Sequence, residues 1–214
     1  MEWFLRFATS HPDVIGFSVL SNERSPVFLN FPILETERLV LRLASRQDAA
    51  SILEYYSINK EFLTPLEPAR VDGFYTIAFW QEQVEKALVE FNYEQAVKLC
   101  LFKKSEPDRV IGKVNFHQIL RGVSHSCMLG YSLAEQEQGQ GYMTEALQAG
   151  IQYMFTRQHL HRIMANYMPR NQRSGNLLRR LGFVVEGYAR DYLLINDRWE
   201  DHILTSLTNP DWQK

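Results

Sequence analysis

Two glycines lie where an apolar strand is followed by a helix, and they are the first candidates for chemistry. The segment runs from Gln136 to Leu147, with glycines at positions 139 and 141. Apolar residues before it predict a strand, and apolar residues at helical spacing after it predict a buried helix face. A glycine turn at a helix start presents free backbone N–H groups and the positive end of the helix dipole. Such a turn favours a phosphate or pyrophosphate ligand.

The spacing of this motif excludes two common nucleotide-binding patterns. A dinucleotide fingerprint needs a third glycine where this chain has Thr144, and a P-loop needs a lysine after Gly141. The pattern that remains is Q-x-x-G-x-G, with Gln136, Gly139 and Gly141 in its fixed places. Because short motifs match by chance, a plain strand-to-helix turn stays open as an alternative.

Composition narrows the class of protein. The 214 residues suit one domain with an extra element, and a hydrophobic content of 45% is enough for a sizeable core. The net charge of -2 gives no support for a general DNA-binding protein. No window of about 18 apolar residues predicts a transmembrane helix. We therefore expect no DNA and no membrane as partners.

The spacing of cysteines and histidines predicts neither a metal site nor a disulfide framework. Cys100 and Cys127 each lie in an apolar run, without C-x-x-C spacing. The six histidines include no H-E-x-x-H pattern. Two isolated thiols fit a reducing compartment, so we expect a cytoplasmic protein without a metal ion.

Arginines are concentrated after the glycine turn. Between Arg157 and Arg190 there are seven arginines and one acidic residue, Glu186. A segment of this kind suits a polyanionic cofactor or RNA. A solvated helix face, balanced by acids elsewhere in the fold, fits equally well.

Hydrophobic periodicity predicts an α+β domain. Residues 1–32 fit neither period, so we predict an N-terminal arm or extension ahead of a domain over residues 33–214. Strands are predicted over 34–43, 96–102, 110–119, 126–134, 162–167, 183–188 and 199–207. Helices are predicted over about 45–56, 74–91, 142–158 and 171–181. This order predicts a mixed, mostly antiparallel sheet of about seven strands with about four helices.

These features resemble the GNAT family of acetyl-CoA-dependent N-acetyltransferases. The Q-x-x-G-x-G loop lies between the fourth predicted strand and the third predicted helix, as it does in that family. Asn171 opens the next helix and a Leu-Gly-Phe run over 181–183 ends it, which is a second family feature. The run 35–42 is typical of the RimJ/RimL branch. The runs 161–169, 173–175, 186–189, 191–195 and 204–208, together with Asn171, resemble the RimJ side of that branch more closely. The resemblance covers roughly residues 34–212.

The resemblance implies a fold and a reaction. The fold is the GNAT, or acyl-CoA N-acyltransferase, fold, with the sheet splayed between predicted strands 4 and 5. Acetyl-CoA is the implied cosubstrate, and an amine attacks it directly, without a covalent enzyme intermediate or a metal. The implied acceptor is the N-terminal alanine of a small-subunit ribosomal protein, free or in the assembling small subunit. A monomer or a homodimer is expected.

The resemblance also implies which residues hold the cosubstrate. The pyrophosphate is expected on the glycine loop, and the acetyl carbonyl on a strand N–H near Leu133. The implied cofactor-binding residues are Tyr131, Ser132, Leu133, Gln138, Gly139, Gln140, Gly141, Tyr142, Met143, Thr144, Asn171 and Ser174.

The chain departs from the general family pattern at the catalytic acid. Many members have a tyrosine seven residues after the helix asparagine, where this chain has Leu178. The RimL branch has a serine as its proposed proton donor three residues after the asparagine, which implies that role for Ser174. The alternative is a first-turn serine that bonds its own backbone.

The catalytic base is less well defined. The carboxylates of related enzymes fall here on Met128 and Leu193, so the candidates are Glu186 and Asp191, acting through water, with His117 as a third. A terminal amine has a reference pKa of about 8, so a strong base is not essential. Structural ion pairs with nearby arginines are the alternative for both carboxylates.

Two other functions stay open. The same chemistry could act on another amine, such as a polyamine, an antibiotic or a toxin peptide. The predicted loop 61–68, with two prolines, has an apolar lining that favours a peptide. The lack of the family's tyrosine and strand glutamate also fits a non-catalytic ribosome-assembly factor that keeps CoA as a structural ligand.

Overall fold

The computed structural model describes residues 31–213, where one mixed sheet carries helices on both faces. The strands are β1 (Ile33–Glu35), β2 (Leu39–Leu43), β3 (Val97–Lys103), β4 (Glu106–Leu120), β5 (Ser126–Leu133), β6 (Arg162–Tyr167), β7 (Val184–Ile195) and β8 (Arg198–Thr208). The α-helices are α1 (Ala49–Ile58), α2 (Lys60–Leu63), α3 (Ile77–Asn92), α4 (Tyr142–Thr156) and α5 (Gln172–Arg180). The predicted arm over 1–32 falls almost wholly outside the described residues.

The strand order explains where a site can form. The order is β1-β2-β3-β4-β5-β6-β8-β7, and every neighbouring pair is antiparallel except β5 and β6. A parallel pair needs a long crossover, which α4 supplies here. The prediction of a mixed, mostly antiparallel sheet is confirmed, with one strand and one α-helix more in the described part than the approximate numbers expected.

The extra elements come from two boundaries that the sequence prediction missed. The predicted strand 34–43 is two strands, because the Thr36 N–H donates to the Leu39 carbonyl at 3.0 Å and reverses the chain. The predicted loop 61–68 contains the end of α2 and a 3₁₀ turn over Thr64–Leu66. In this turn Pro65 occupies an early helical position, where a missing N–H costs nothing.

The core formed by residues 31–213 has two hydrophobic clusters. The larger one packs α4 and α5 against strands β2 to β6, and the smaller one includes α1, α3 and Phe102. Leu101 and Phe102 are neighbours in β3 but belong to different clusters, as expected when successive strand side chains point to opposite faces. Because β5 and β6 are central in the strand order and helices cover both faces of the sheet, these two strands lie in the middle of the molecule.

Candidate active site

The loop between β5 and α4 has the backbone geometry of an anion site. Gly139 and Gly141 have φ angles of +75° and +82°, a left-handed conformation that strains other residues. Gly141 is the N-cap of α4 and brings no capping side chain. The N–H groups of the first helical turn, residues 142–144, therefore find no acceptor among the described residues. A Cβ on Gly139 would meet nothing within 4 Å, so space for a ligand lies directly against the backbone.

Two buried or half-buried carboxylates hold this loop in place. Glu137 is 5% exposed and is paired with Lys103, at 3.0 Å, and with Arg109. Glu145, in the first turn of α4, accepts the Arg38 side chain at 2.7 Å. Burial alone would raise the pKa of Glu145, but hydrogen bonds from Thr36 and Arg38 outweigh burial and leave that pKa below its usual value. These pairs therefore anchor the loop at both ends before a ligand arrives.

Arg38 and Arg173 place positive charge on the loop from two sides. Arg38 also donates to the Gln140 carbonyl at 2.9 Å and lies over the Tyr142 ring. Arg173, in the first turn of α5, donates to the Gln138 side chain at 2.6 Å. The arginine-rich segment of the sequence thus reaches the glycine loop through Arg173, which joins the loop to α5.

A gap opens between β5 and β6 beside this loop. The two strands pair only from Ser126 to Met128, opposite Arg162 to Met164. Beyond that point, residues 129–133 pair with β4 alone and residues 165–167 pair with β8 alone. Alternate N–H groups of an extended strand point to opposite sides, so some in residues 129–133 face the gap. This separation is the splay that the resemblance implied.

Two hydroxyl groups meet at the open end of this gap. The Asn171 side chain caps α5 by accepting the Ser174 N–H at 3.2 Å. The Ser174 hydroxyl lies 2.7 Å from the hydroxyl of Tyr131, which comes from β5. Burial raises the pKa of Tyr131 to about 12, although the Ser174 hydroxyl opposes the shift. Leu178 is 1% exposed in the core, where it has no role in chemistry.

The predicted carboxylates lie away from these hydroxyls. Glu186 forms an ion pair with Arg162, the first residue of β6, and accepts the Ser206 hydroxyl at 2.8 Å. The Arg162 guanidinium lowers the pKa of Glu186, and Ser206 adds to this effect. Arg162 is at the closed end of the gap, so the ion-pair alternative for Glu186 has a concrete partner. A catalytic role for Glu186 stays a prediction.

The other two candidate bases lie in different places. Asp191 is in an irregular part of β7 with a φ of +45°, and its N–H donates to Asp201 at 2.9 Å. His117 is on β4 directly opposite Met128, where the gap begins. Burial lowers the pKa of His117, and nearby Lys98 adds to the effect, so the imidazole favours its neutral form. Roles for both stay predictions.

The sequence analysis missed a group of residues on the side of the sheet that α1 covers. Arg170 donates to the Pro65 carbonyl at 3.0 Å and pairs with Glu200 on β8. Glu67 lies 3.8 Å from Lys113, which pairs in register with Ser132 on β5. Pro65 is bonded to Arg170, which follows β6, and Glu67 lies near Lys113 on β4, so this short segment crosses the gap. The two prolines were the sequence signal, but they indicated only a stiff loop.

Metal ligation and membrane insertion gain no support from the described chain. Within residues 31–213 no three His, Cys, Asp or Glu side chains come together as a metal-binding group. The helices in this same range are too short or too polar for any of them to cross a bilayer.

Comparisons with known proteins agree with this geometry. Residues 38–184 match the acetyltransferase (GNAT) domain family. The ribosomal protein uS5-alanine N-acetyltransferase of Escherichia coli (strain K12) is 49% identical over 180 residues, which cover 84% of this chain and 92% of that protein. The crystal structure of ribosomal-protein-S5-alanine acetyltransferase from Vibrio fischeri is 40% identical, with a TM-score of 0.82, and the match covers 86% of this chain and 100% of that one.

A solved relative with a bound ligand is also similar. RimJ of Mycobacterium smegmatis, in complex with CoA-disulfide, is 25% identical with a TM-score of 0.77, and the match covers 86% of this chain and 89% of that one. The family match spans more than half of the chain, and the strand splay and glycine loop lie inside it. This chain therefore belongs to the GNAT family of N-acetyltransferases.

Proposed function

We propose that this enzyme transfers the acetyl group of acetyl-CoA directly to the N-terminal α-amine of a small-subunit ribosomal protein whose first residue is alanine. The observation that carries the proposal is the gap between β5 and β6, which opens beside a cradle of free N–H groups. The choice of acceptor rests on similarity to the E. coli enzyme that acts on ribosomal protein uS5.

The residues present fit acetyl-CoA. An anionic pyrophosphate matches the N–H groups and helix dipole of the loop over residues 138–144, where Gly139 leaves room for it. Tyr131, Ser132 and Leu133 line the gap from β5, and Asn171 and Ser174 line it from the start of α5. When bound there, acetyl-CoA supplies a thioester that an amine can attack.

The chemistry needs three contributions from the protein. The first is proximity, since holding the amine beside the thioester removes much of the entropic barrier. The second is a backbone N–H of residues 129–133 to stabilise the oxyanion that forms on attack. The third is proton transfer, and we assign to Ser174 the donation of a proton to the departing thiolate.

The acceptor amine enters on the face of α1, beneath the segment from Pro65 to Glu67. Charges on this side are mixed, with Glu67 and Glu200 facing Lys113 and Arg170. Burial lowers the pKa of Lys113 to about 8. A mixed lining gives no preference for a polycation, so the structure favours a peptide terminus over a polyamine. Because the α-amine itself has a reference pKa of about 8, water can accept its proton.

The experiment supplies acetyl-CoA with one of three acceptors and follows release of the CoA thiol. The acceptors are a peptide that copies the N-terminus of ribosomal protein uS5, the same peptide with a blocked α-amine, and spermidine. We expect thiol release with the free peptide only, and mass spectrometry should place one acetyl group on its terminal nitrogen. Turnover with spermidine alone would redirect the function to small amines. No thiol release with any acceptor, despite CoA binding, would favour a non-catalytic ribosome-assembly factor.

A further inference from the structure

The hydroxyl of Ser174 has an unusual partner for a serine in the first turn of a helix. Such a serine commonly turns its hydroxyl back to a nearby backbone group. Among the described residues, the recorded partner of this hydroxyl is Tyr131, at 2.7 Å. The Asn171 carbonyl, one turn earlier, already accepts the N–H of Gly175. The side-chain bond thus spans the gap between β5 and α5 instead of closing on the helix.

The direction of this hydrogen bond follows from the acidity of the two groups. A phenol is a stronger acid than an aliphatic alcohol, so the Tyr131 hydroxyl is the better donor of the two. Because burial raises the pKa of Tyr131 to about 12, its hydroxyl keeps its hydrogen at neutral pH. A serine hydroxyl has two lone pairs and one hydrogen. When Ser174 accepts from Tyr131, its own hydrogen is free to point into the gap.

Packing fixes both partners. The Tyr131 ring is packed against the larger core cluster, which leaves it little freedom to turn away. On the other side, the Tyr167 ring lies close to α5 at Gly175, where an added Cβ would come within 2.6 Å of ring carbons. The close approach of β6 to α5 at this glycine keeps Ser174 within reach of β5.

We propose that Tyr131 is a positioning residue that aims the Ser174 hydroxyl at the sulfur of the departing CoA thiolate. The inference rests on the proposed function. The site thus has a phenol hydroxyl from β5, although α5 carries Leu178 instead of the family's tyrosine.

The proton balance leaves Tyr131 unchanged. The amine nitrogen forms a bond to the acetyl carbon, the carbon–sulfur bond breaks, and its electron pair stays on sulfur. Ser174 gives its hydroxyl proton to that sulfur and recovers one from water, which has taken the proton lost by the amine. Tyr131 keeps its own proton throughout and contributes only the orientation and polarisation of Ser174.

The test compares four variants with the unmodified enzyme in the thiol-release assay. Tyr131→Phe keeps the ring and removes the hydroxyl, and we expect kcat to fall about tenfold, the factor that one hydrogen bond supplies. KM for acetyl-CoA should stay within about twofold, since the hydroxyl pair acts at the leaving group. Ser174→Ala should lower kcat at least as much. Adding Tyr131→Phe to Ser174→Ala should have no further effect, whereas Ser174→Thr, which keeps a hydroxyl, should retain most of kcat.

Tyr153→Phe is the matched control. This half-buried tyrosine of α4 also uses its hydroxyl, which accepts from Gln158 at 3.1 Å, but it lies outside the site. We expect full kcat for this variant, and calorimetric CoA binding checks that each variant folds.

Three outcomes would decide against the inference while the proposed function stands. If the unmodified enzyme turns over and Tyr131→Phe keeps full kcat, the inference is wrong. It is also wrong if the two substitutions lower kcat independently, so that their factors multiply in the double variant. Since Ser174 tolerates alanine at a half-buried helix start, unchanged kcat for Ser174→Ala overturns it even when Tyr131→Phe does not fold. Absence of turnover by the unmodified enzyme would overturn the proposed function as well.

Discussion

Gly139→Ala is the substitution with the clearest expected effect on cosubstrate binding. Gly139 has a φ of +75°, and a Cβ there would meet no protein atom within 4 Å. The cost therefore comes from the backbone, at roughly 1–2 kcal/mol for a left-handed residue that carries a side chain. Between its two anchored ends, the free loop of the variant relaxes out of this conformation, and that energy must be restored when CoA binds. Since about 1.4 kcal/mol corresponds to a factor of ten, Kd for CoA should rise roughly 5–30-fold.

Gly122→Ala is its control. Gly122 has a φ of +69° and equally open surroundings, but it lies in the turn between β4 and β5, at the other end of β5 from the glycine loop. The same backbone strain should lower its thermal stability and leave CoA affinity unchanged. Isothermal titration calorimetry measures the Kd of CoA for both variants. Wild-type affinity in Gly139→Ala would refute the idea that this backbone conformation builds the pyrophosphate site.

Three further predictions concern pH and packing. The value of kcat/KM for the acceptor peptide should rise with pH until its α-amine is neutral, around pH 8, and hold to about pH 10, because the raised pKa keeps Tyr131 protonated. A pH–rate profile that falls above pH 8 would contradict this. Glu145→Gln should lower the free energy of unfolding at pH 7 by about 1 kcal/mol. A group whose folded pKa is depressed stabilises the fold above its unfolded pKa. The difference in unfolding free energy between the variant and the unmodified enzyme should therefore shrink as the pH falls below 4.5. Denaturation at pH 7 and at a pH below 4.5 measures it. Gly175→Ala should cost about 1–3 kcal/mol, since its Cβ would press on the Tyr167 ring, and an unchanged Tm would contradict that contact.

The sequence predicted the glycine loop well because its signals are local. A change from strand to helix periodicity brackets Gly139 and Gly141, and the structure places both in the left-handed region beside the start of α4. Asn171 was predicted to open the helix that is α5, and its side chain accepts the Ser174 N–H there. Signals of this kind need only a few neighbouring residues.

Contacts between distant residues could not be read in the same way. Tyr131 and Ser174 are 43 residues apart, and Arg173 and Gln138 are 35 residues apart. No periodicity records such pairs, since they depend on how the strands are ordered. The turn at Thr36 is closed by a local bond to Leu39, but the Thr36 hydroxyl also reaches Glu145 on α4, a distant contact of the same kind.

On the acceptor side, a local signal predicted the structure of a segment correctly but did not predict its role. Pro65 and Pro68 predicted a stiff segment, and the structure has a 3₁₀ turn there. What gives that segment its importance is the bond from Arg170 to the Pro65 carbonyl, which lies across the gap. Arg170 is 105 residues away from Pro65, and no pattern in the sequence indicates that the two are in contact.

The most direct test of the central claim is mass spectrometry of the acceptor peptide after incubation with the enzyme and acetyl-CoA. The account predicts one acetyl group on the terminal nitrogen of the alanine, formed at a rate that matches thiol release. An unmodified peptide, or an acetyl group found only on a lysine side chain, would contradict it.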